Sequence, residues 1–575
     1  MNSSASAGVA TAGHMQRLQF ASELMQQGRR DEAIATLRSL VAEAAPLAQA
    51  HRLLGVALDE IGDLLGAETA FRRALAVDPR LLAAAVGLAE TLRKADRGSE
   101  AVELLGPFVA KGATDLNLLT YYAFALQSIG RFDEAIACLR RAVASSPASA
   151  VAEHNLAGAL GDAGQLAESE SAASRALEKG LDAPETWLVL ARALSGQDRP
   201  SEAEQAYREA IHRRPGYADA YGDLAKLTWT RTGDAKSALA VIDQATLGRP
   251  QNPAMLVHRA KLLEYIGDLT GAGETLGLAL TLADDPLVHV AAAQIAVRSD
   301  PHLGLEHAQH AFAMRPENYS VIATLCQARL AVGRPDEAAP LAELLCERQG
   351  WDQFALALLA TAWRLQGDPR YGELCDYDRL IGSSRLDAPD GWSSLEAYLE
   401  DLREALEPLH PFLGHPIGQS VRHGSQTRQD LAAVEAPAIK AFFQAIDGPI
   451  RRYIKALGSG SDPLRRRIAG GYKFNGVWSV KLRPPTGLHA NHVHHRGWLS
   501  SACYVSLPGA VERGREGWIN FGEPGVPTAP ALAPERFVKP EVGQLLLFPS
   551  YMWHGTAPFS GDEPRLSVAF DVLPA

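Results

Sequence analysis

Cysteine is scarce in this chain of 575 residues. The few that occur are odd in number and far apart, at Cys138, Cys326, Cys346, Cys375 and Cys503. A disulfide framework or a cysteine-based zinc motif needs closely and regularly spaced cysteines, so the sequence excludes both. The pattern indicates free thiols in a reducing compartment, and we expect a cytoplasmic protein.

Long apolar segments and an excess of positive charge are also missing. No segment of the sequence is long and apolar enough to cross a bilayer, and the first residues (MNSSASAGVATAGHM) lack the basic and apolar parts of a secretion signal. The formal net charge is −11, whereas a nucleic-acid surface needs clustered Lys and Arg to neutralise phosphates. We therefore expect neither a membrane nor a nucleic acid among the partners.

What the chain does contain is a recurring set of small residues with a period of about 34 residues. Gly55, Ala67 and Ala74 are followed by Pro79, and small residues return at the same offsets further along. The copies include Ala89 and Ala101; Ala123, Ala135, Ala142 and Pro147; Ala157, Ser169 and Ala176; Ala191, Ala203, Ala210 and Pro215; and Ala238, Ala245, Ala260, Ala272 and Ala279. Small residues let two antiparallel helices approach closely, and the proline ends the second helix of each pair.

This pattern resembles the tetratricopeptide repeat, over residues 15–367. The resemblance implies an all-α solenoid of stacked helix pairs, preceded by a disordered N-terminus at residues 1–14. Such arrays usually bind an extended or helical peptide on their concave face, so we expect a polypeptide partner or substrate in the repeat groove. An array that acts only as a spacer or a dimerisation surface is equally compatible with the sequence.

The texture of the sequence changes after the repeats. Glycine and proline concentrate in residues 368–391, which we interpret as a linker. Residues 392–575 begin with helical patterns and continue with short β-rich segments: KFNGVWSVKLR, SSACYVSLP, GWINFGE, GQLLLFPS and RLSVAFDV. This order predicts a double-stranded β-helix, or jelly roll, with supporting helices. The fold class is therefore multidomain, an all-α tetratricopeptide solenoid followed by this β domain.

Histidines concentrate near the C-terminus, where the segment HANHVHH spans His489 to His495 and His554 follows in FPSYMWHGT. Neutral imidazole is the commonest metal ligand, and histidines two apart on a strand share one face. On the last predicted strand, Arg565 and Ser567 lie on the face opposite an apolar stripe. An inward-facing arginine needs an anionic partner, which is either a ligand carboxylate or a protein carboxylate such as Asp571 or Glu541.

These C-terminal segments resemble the 2-oxoglutarate- and iron(II)-dependent oxygenases that are found fused to tetratricopeptide repeats. The resemblance implies that His492, His494 and His554 bind Fe(II). It further implies that Arg565 and Ser567 bind the distal carboxylate of 2-oxoglutarate, with the Tyr504 hydroxyl nearby. The family normally has a carboxylate at the second ligand position, whereas this chain has His494.

The departure at His494 leaves several functions open. Three imidazoles also suit zinc, so iron is implied by the resemblance and not by the ligand type. His489 and Asn491 are candidates for orienting the ligands, and His489 becomes a rival ligand if the segment forms a loop. The expected function is 2-oxoglutarate-dependent hydroxylation by a dioxygenase. The alternatives are an interaction scaffold with a degenerate barrel and a three-histidine metalloenzyme that does not use 2-oxoglutarate.

Overall fold

The computed structural model describes residues 3–43, 47–110, 112, 114–246, 252–348, 352–412 and 414–575. Contacts within the chain divide it into two compact units, Met1–Ala193 and Leu194–Ala575. The division falls inside the repeats and not at the predicted linker. Within the described residues, no helix has both the length and the apolar character needed to cross a membrane.

Paired antiparallel helices form the repeats in both units, and a final unpaired helix ends the series. These helices are α1 (Ser3–Gln26), α2 (Arg30–Glu43), α3 (Ala48–Glu60), α4 (Leu64–Val77), α5 (Leu82–Lys94), α6 (Gly98–Val109), α7 (Leu116–Ser128), α8 (Phe132–Ser145), α9 (Ala150–Asp162), α10 (Leu166–Glu178), α11 (Pro184–Gly196), α12 (Pro200–Arg213), α13 (Ala218–Thr232), α14 (Ala235–Thr246), α15 (Pro253–Ile266), α16 (Leu269–Leu282), α17 (Pro286–Ala296), α18 (Pro301–Met314), α19 (Tyr319–Ala331), α20 (Pro335–Arg348) and α21 (Gln353–Gln366). Helix α1 extends into the segment predicted to be disordered, of which residues 1–2 lie outside the described part.

The small residues of the repeat lie where paired helices meet. The first small position of each copy is on the first helix of a pair, and the next two are on the second helix. Ala67, Ala101 and Ala135 are completely buried. At Gly55 an added Cβ would lie only 2.8 Å from the ring of Phe71, so a larger residue would push the two helices apart. The predicted reason for the repeat is therefore confirmed in the packing.

Short helices and turns connect the repeats to the β-rich region and support it. They comprise α22 (Arg370–Leu374), α23 (Tyr377–Leu380), α24 (Leu395–Leu406), α25 (Pro437–Leu457) and the 3-10 turns Glu407–Leu409, Leu431–Ala433, Arg465–Arg467 and Gly509–Glu512. The Ser394 side chain caps α24 by accepting a hydrogen bond from the Ala397 amide.

The strands of the C-terminal region form three antiparallel sheets, and this β-rich region is consistent with the predicted jelly roll. They are β1 (Gly382–Arg385), β2 (Val421–Arg422), β3 (Gly424–Gln426), β4 (Tyr472–Leu482), β5 (Leu488–His489), β6 (Leu499–Ser506), β7 (Ile519–Phe521), β8 (Arg536–Val538), β9 (Gln544–Pro549), β10 (His554–Thr556) and β11 (Arg565–Pro574). The large sheet has the order β1-β9-β6-β11-β4-β3, and the smaller sheets are β10-β7-β8 and β2-β5. All five segments predicted to be strands are confirmed.

One face of the large sheet packs against the supporting helices. Leu566, Val568 and Phe570 on β11 are at most 1% exposed, and the Phe570 ring lies 6.4 Å from the ring of Phe442 on α25. The alternating residues on β11, including Arg565 and Ser567, line a cavity on the other face. The predicted assignment of the two faces of this strand is confirmed.

The predicted linker needs correction, because part of it belongs to the β domain. Residues Gly382–Arg385 form the edge strand β1, which pairs with β9 in the large sheet. The sequence pattern missed this because the glycine and serine of a short edge strand are indistinguishable from those of a loop.

The last repeat helix also packs directly on the β domain. Trp553 donates from Nε1 to Thr361 Oγ1 on α21 at 2.9 Å. Val493 and Val526 belong to the same buried cluster as α19, α20 and α21. Arg364 on α21 donates to the carbonyl of Gly522 at 2.7 Å. The contacts that cross the predicted boundary are therefore numerous and buried.

We expect these contacts to make residues 392–575 an incomplete folding unit. A fragment of residues 392–575 loses β1 and exposes Trp553, and burial of a large aromatic side chain typically contributes about 3–5 kcal/mol. Its thermal unfolding, followed by circular dichroism, should be broad or should occur well below that of residues 194–575. Cooperative unfolding of both fragments at the same temperature would contradict the prediction.

Candidate metal centre

Two chain segments join at the candidate metal centre through a short antiparallel bridge. The His492 amide donates to the His554 carbonyl at 2.9 Å, and the His554 amide donates back at 3.1 Å. The His494 amide donates to the Ser550 carbonyl at 3.1 Å. These backbone hydrogen bonds fix the distance between the HANHVHH segment and the strand that begins at His554.

The side chains of His492, His494 and His554 converge. One nitrogen of each lies within 4.8 Å of the others, and the Nε2 atoms of His492 and His494 are 3.1 Å apart. When two imidazole nitrogens bind one metal at about 2.1 Å and at a right angle to each other, the two nitrogens are about 3.0 Å apart. The spacing therefore matches two adjacent positions around a metal ion.

Hydrogen bonds to the opposite ring nitrogens direct the Nε2 atoms toward one point. Nδ1 of His492 faces the Ala490 carbonyl at 2.9 Å, and Nδ1 of His554 faces the Met552 carbonyl at 2.9 Å. A carbonyl only accepts, so each Nδ1 carries the proton and each Nε2 keeps its lone pair. Burial also holds the pKa of both rings well below the usual histidine value, which keeps them in the neutral form that binds metal.

Asp571 orients the third histidine, and the sequence analysis did not assign it this role. Nδ1 of His494 donates to Asp571 Oδ1 at 2.7 Å, and Ser500 Oγ donates to the same oxygen at 2.7 Å. Asp571 is 6% exposed. A carboxylate behind a ligating imidazole fixes its tautomer and raises its basicity. The available signal was that Asp571 shares the cavity-facing side of β11 with Arg565.

Arg565 lies in the same cavity without a protein counter-ion. Its guanidinium is 2% exposed and donates from Nη1 to Thr556 Oγ1 at 3.0 Å. Its Nε has no hydrogen-bond partner among the described residues. Burial lowers the pKa of Arg565 from the usual arginine value. The alternative of an ion pair with Asp571 or Glu541 is wrong, since Asp571 binds His494 and neither carboxylate lies within ion-pair distance of Arg565 among the described ion pairs.

Ser567 and Tyr504 lie beside this arginine. They are register partners on β11 and β6, and Ser567 lines the cavity. The Tyr504 side chain is fully buried, with its ring centre 5.0 Å from the guanidinium carbon of Arg565. Its hydroxyl has no hydrogen-bond partner in the described part of the chain. The Arg565 Nε and the Tyr504 hydroxyl are thus two neighbouring buried polar groups that form no hydrogen bond among the described residues, and Arg565 also lines the cavity.

His489 lies next to the three converging histidines but outside their group. Most of the HANHVHH segment is irregular, with a single bridge at His492, so the expectation from strand alternation does not apply there. Nδ1 of His489 is 2.9 Å from Ser420 Oγ, which is also 3.2 Å from His492 Nε2. Asn491 does not line the cavity; its side-chain oxygen lies against Gly555. His495 stacks on Phe354 of α21 and also lines the cavity, but it does not belong to the group of three.

The cavity is about 530 Å³ in volume, within the range of roughly 300–1,000 Å³ that is typical of small-molecule sites. Gly418, Gln419 and Ser420 form part of its wall. The loop that carries them is held by the repeat helices, because Trp229 on α13 donates from Nε1 to the His415 carbonyl at 2.9 Å. The Tyr265 hydroxyl on α15 also donates to the Pro416 carbonyl. Sequence analysis could not detect this long-range contact.

Comparison with known proteins matches the repeats and the C-terminal region to separate families. A family model described as "Putative 2OG-Fe(II) oxygenase" matches residues 476–571. Tetratricopeptide-repeat models match residues 18–80, 123–184 and 184–227. The chain therefore carries tetratricopeptide repeats and a C-terminal domain that resembles this oxygenase family. No curated protein matches the chain.

Solved structures that resemble the chain include two that are described as tetratricopeptide repeat proteins. A tetratricopeptide repeat protein from Parabacteroides merdae is 16% identical, covers 43% of this chain and 97% of its own, and has a TM-score of 0.35. A thermophilic tetratricopeptide repeat protein from Thermus thermophilus is 24% identical, and the match covers 32% of this chain and 99% of that protein with a TM-score of 0.29. Yeast Tom70 is 11% identical, and the match covers 79% of this chain and 98% of Tom70 with a TM-score of 0.36. Because these TM-scores are low, the similarity to solved structures carries no argument beyond the matches to the tetratricopeptide-repeat models.

The three converging imidazoles predict that metal affinity depends on each of them. His554→Ala should remove most of the affinity for Mn(II) or Fe(II), because a site with three protein ligands has no spare donor. His489→Ala, the matched control, should still bind one equivalent per chain. Anaerobic calorimetric titration measures both. A full equivalent bound by His554→Ala would show that the ligand assignment is wrong.

Asp571 should contribute to metal affinity without being a ligand. Asp571→Asn removes the negative charge behind His494, and loss of such a partner typically weakens metal binding about 10–100-fold. The exposed Asp562→Asn serves as the control and should leave the affinity unchanged. Anaerobic calorimetric titration with Mn(II) or Fe(II) measures the metal affinity of both variants, and melting curves show whether either variant is less stable. Equal affinity in wild type and Asp571→Asn would assign Asp571 a purely structural role.

Proposed function

We propose that this chain is a 2-oxoglutarate- and Fe(II)-dependent dioxygenase that hydroxylates a polypeptide recruited by its repeats. The observation that carries the proposal is the buried guanidinium of Arg565, which has an unsatisfied Nε and lines the same cavity as three converging imidazoles. An unpaired buried cation is costly, so this position is suited to an anionic ligand. The match of residues 476–571 to an oxygenase family supports the same reaction type.

The donor set fits a first-row metal such as Fe(II). His492, His494 and His554 would hold it through Nε2, and imidazole suits iron as well as zinc, copper and nickel. The usual carboxylate ligand is absent, but the carboxylate of Asp571 is hydrogen-bonded to His494 at 2.7 Å. The negative charge that the family places on the metal is therefore one hydrogen bond away, and we propose that it offsets part of the positive charge of the centre.

The opposite end of the cavity fits a dicarboxylate. Arg565 would bind the distal carboxylate of 2-oxoglutarate through its free guanidinium edge, and the Ser567 and Tyr504 hydroxyls would add hydrogen bonds. The proposal is supported by the Arg565 Nε and the Tyr504 hydroxyl, which are buried donors that lack a hydrogen-bond partner among the described residues. A bound carboxylate would remove the cost of both.

Bound together, iron and 2-oxoglutarate supply the oxidising chemistry, in which O2 and 2-oxoglutarate are consumed, succinate and CO2 are released, and a C–H bond becomes C–OH. The protein contributes position and environment. Phe548, whose ring lies 4.7 Å from that of His554, forms a dry wall beside the ligands. Asp571 keeps the His494 proton on Nδ1, so the Nε2 lone pair stays available to the metal.

The repeats would bring the substrate to this cavity. Arrays of this kind commonly bind peptides, and the loop from Gly414 to Ser420 joins helices α13 and α15 to the cavity wall. A polypeptide held by the neighbouring repeat helices would therefore lie close to the reacting centre. Substrate positioning of this kind lowers the entropic part of the barrier.

Arg565→Lys tests the proposed cosubstrate site. A lysine ammonium cannot reproduce the two parallel hydrogen bonds of a guanidinium to a carboxylate. Loss of a buried charged partner typically costs about 2–5 kcal/mol, which corresponds to a dissociation constant for 2-oxoglutarate raised roughly tens- to thousands-fold. Titration of the Mn(II)-loaded protein with 2-oxoglutarate measures the change, and metal affinity should remain near the wild-type value.

The melting temperature separates the proposal from a structural role for Arg565. The control is the exposed Arg536→Lys, which should alter neither 2-oxoglutarate binding nor stability. A structural role predicts that Arg565→Lys lowers the melting temperature and changes cosubstrate affinity only as the fold fails. If metal-loaded wild-type protein binds no 2-oxoglutarate, the oxygenase proposal fails. The interaction scaffold, or the three-histidine metalloenzyme that does not use 2-oxoglutarate, then takes its place.

A further inference from the structure

A second group of histidines lies on the repeats, away from the cavity. His289 on α17 and His307 and His310 on α18 surround Asp284, which comes just before α17. The His289 ring centre lies 4.3 Å from that of His310 and 5.1 Å from that of His307. Asp284, His289 and His310 each offer one ligand atom, and these atoms lie within 4.8 Å of one another. The proposed oxygenase reaction does not use this group.

The distances within the group match those around a tetrahedral metal ion. Asp284 Oδ1 is 2.9 Å from His289 Nε2 and 3.1 Å from His310 Nε2. Ligands at about 2.0–2.1 Å from a tetrahedral zinc ion are about 3.3 Å apart. Formation of the site would therefore need only small movements of the exposed Asp284 and His310 side chains toward the buried His289. From this geometry we infer that Asp284, His289 and His310 form a second metal site, specific for Zn2+.

The fourth residue of the group, His307, supports a ligand role for His289. Nδ1 of His289 lies 3.0 Å from Nδ1 of His307. A metal on Nε2 forces the His289 proton onto Nδ1, where His307 Nδ1 accepts it. This is the hydrogen-bonded partner that ligating histidines usually have behind them. His289 is only 9% exposed, so its ring is held in place by packing before any metal binds.

The ligand types decide which ion fits. Two imidazole nitrogens and one carboxylate oxygen suit zinc, whereas Mg2+ and Ca2+ need mainly oxygen ligands. Three protein ligands leave the fourth tetrahedral position for water. Because Asp284 precedes α17 and His310 is near the end of α18, bound zinc would tie the two helices of one repeat together. The site would add stability to that repeat by binding only the folded state.

Zinc titration of the tag-free full-length protein tests the inference. His310→Ala should bind one zinc equivalent fewer per chain than wild type, because the first metal centre is intact in both. His302→Ala, an exposed histidine on the same helix, is the matched control and should bind as much zinc as wild type. His307→Phe should keep the stoichiometry but bind the second equivalent roughly 10–100-fold more weakly.

Cobalt provides a signature that simple stability changes would not produce. Wild-type protein loaded with Co2+ should show tetrahedral absorption bands whose intensity falls in His310→Ala, by the contribution of the second site, and is retained in His302→Ala. Circular dichroism of the metal-free variants checks that the helices are unchanged, which is expected since His310 is about half exposed. Equal zinc stoichiometry in wild type and His310→Ala would overturn the site, whatever the outcome for the proposed oxygenase activity.

Discussion

The packing of Trp553 and Val493 onto the last repeat helix is the contact on which the position of the candidate metal ligands depends. Each residue is next to a candidate ligand: Val493 lies between His492 and His494, and Trp553 immediately precedes His554. Val493 and Trp553 are buried with helix α21, and Val493 also lines the cavity with the three histidines. Because packing against α21 holds Val493 and Trp553 in place, the backbone of the neighbouring histidines is held as well. The repeats therefore form part of the support of the site.

The proposed metal centre differs in charge from the centre of the oxygenase family that its domain resembles. Replacing a carboxylate ligand by His494 would add one positive charge to the metal site, yet Asp571 lies directly behind that histidine and is 6% exposed. We propose that His494 and Asp571 together take the role that a single carboxylate has in that family. Elsewhere in the cavity Arg565 has no counter-ion among the described ion pairs, so under the proposed function a bound anion would balance its charge.

Local patterns in the sequence predicted the elements and singled out three histidines that the structure brings together, because both follow from spacing. Their role as metal ligands stays a prediction. The small residues of the repeat, the five strands and the inward face of Arg565 and Ser567 all depend on periodicity within short segments. Strand β1 and the role of Asp571 depend on pairings over long sequence distances, for which a single sequence carries little signal. His489 illustrates the limit, since its position depends on Ser420 and not on its own segment.

The division of the chain inside the repeats changes what the array can be expected to do. Sequence periodicity treats all copies alike, yet only the helices after Leu194 share a compact unit with the β domain. Several of these helices use part of their surface to contact the C-terminal region. Arg364 on α21 donates to the Gly522 carbonyl, and Trp229 on α13 donates to the His415 carbonyl. Surface used in this way is not free to bind a partner.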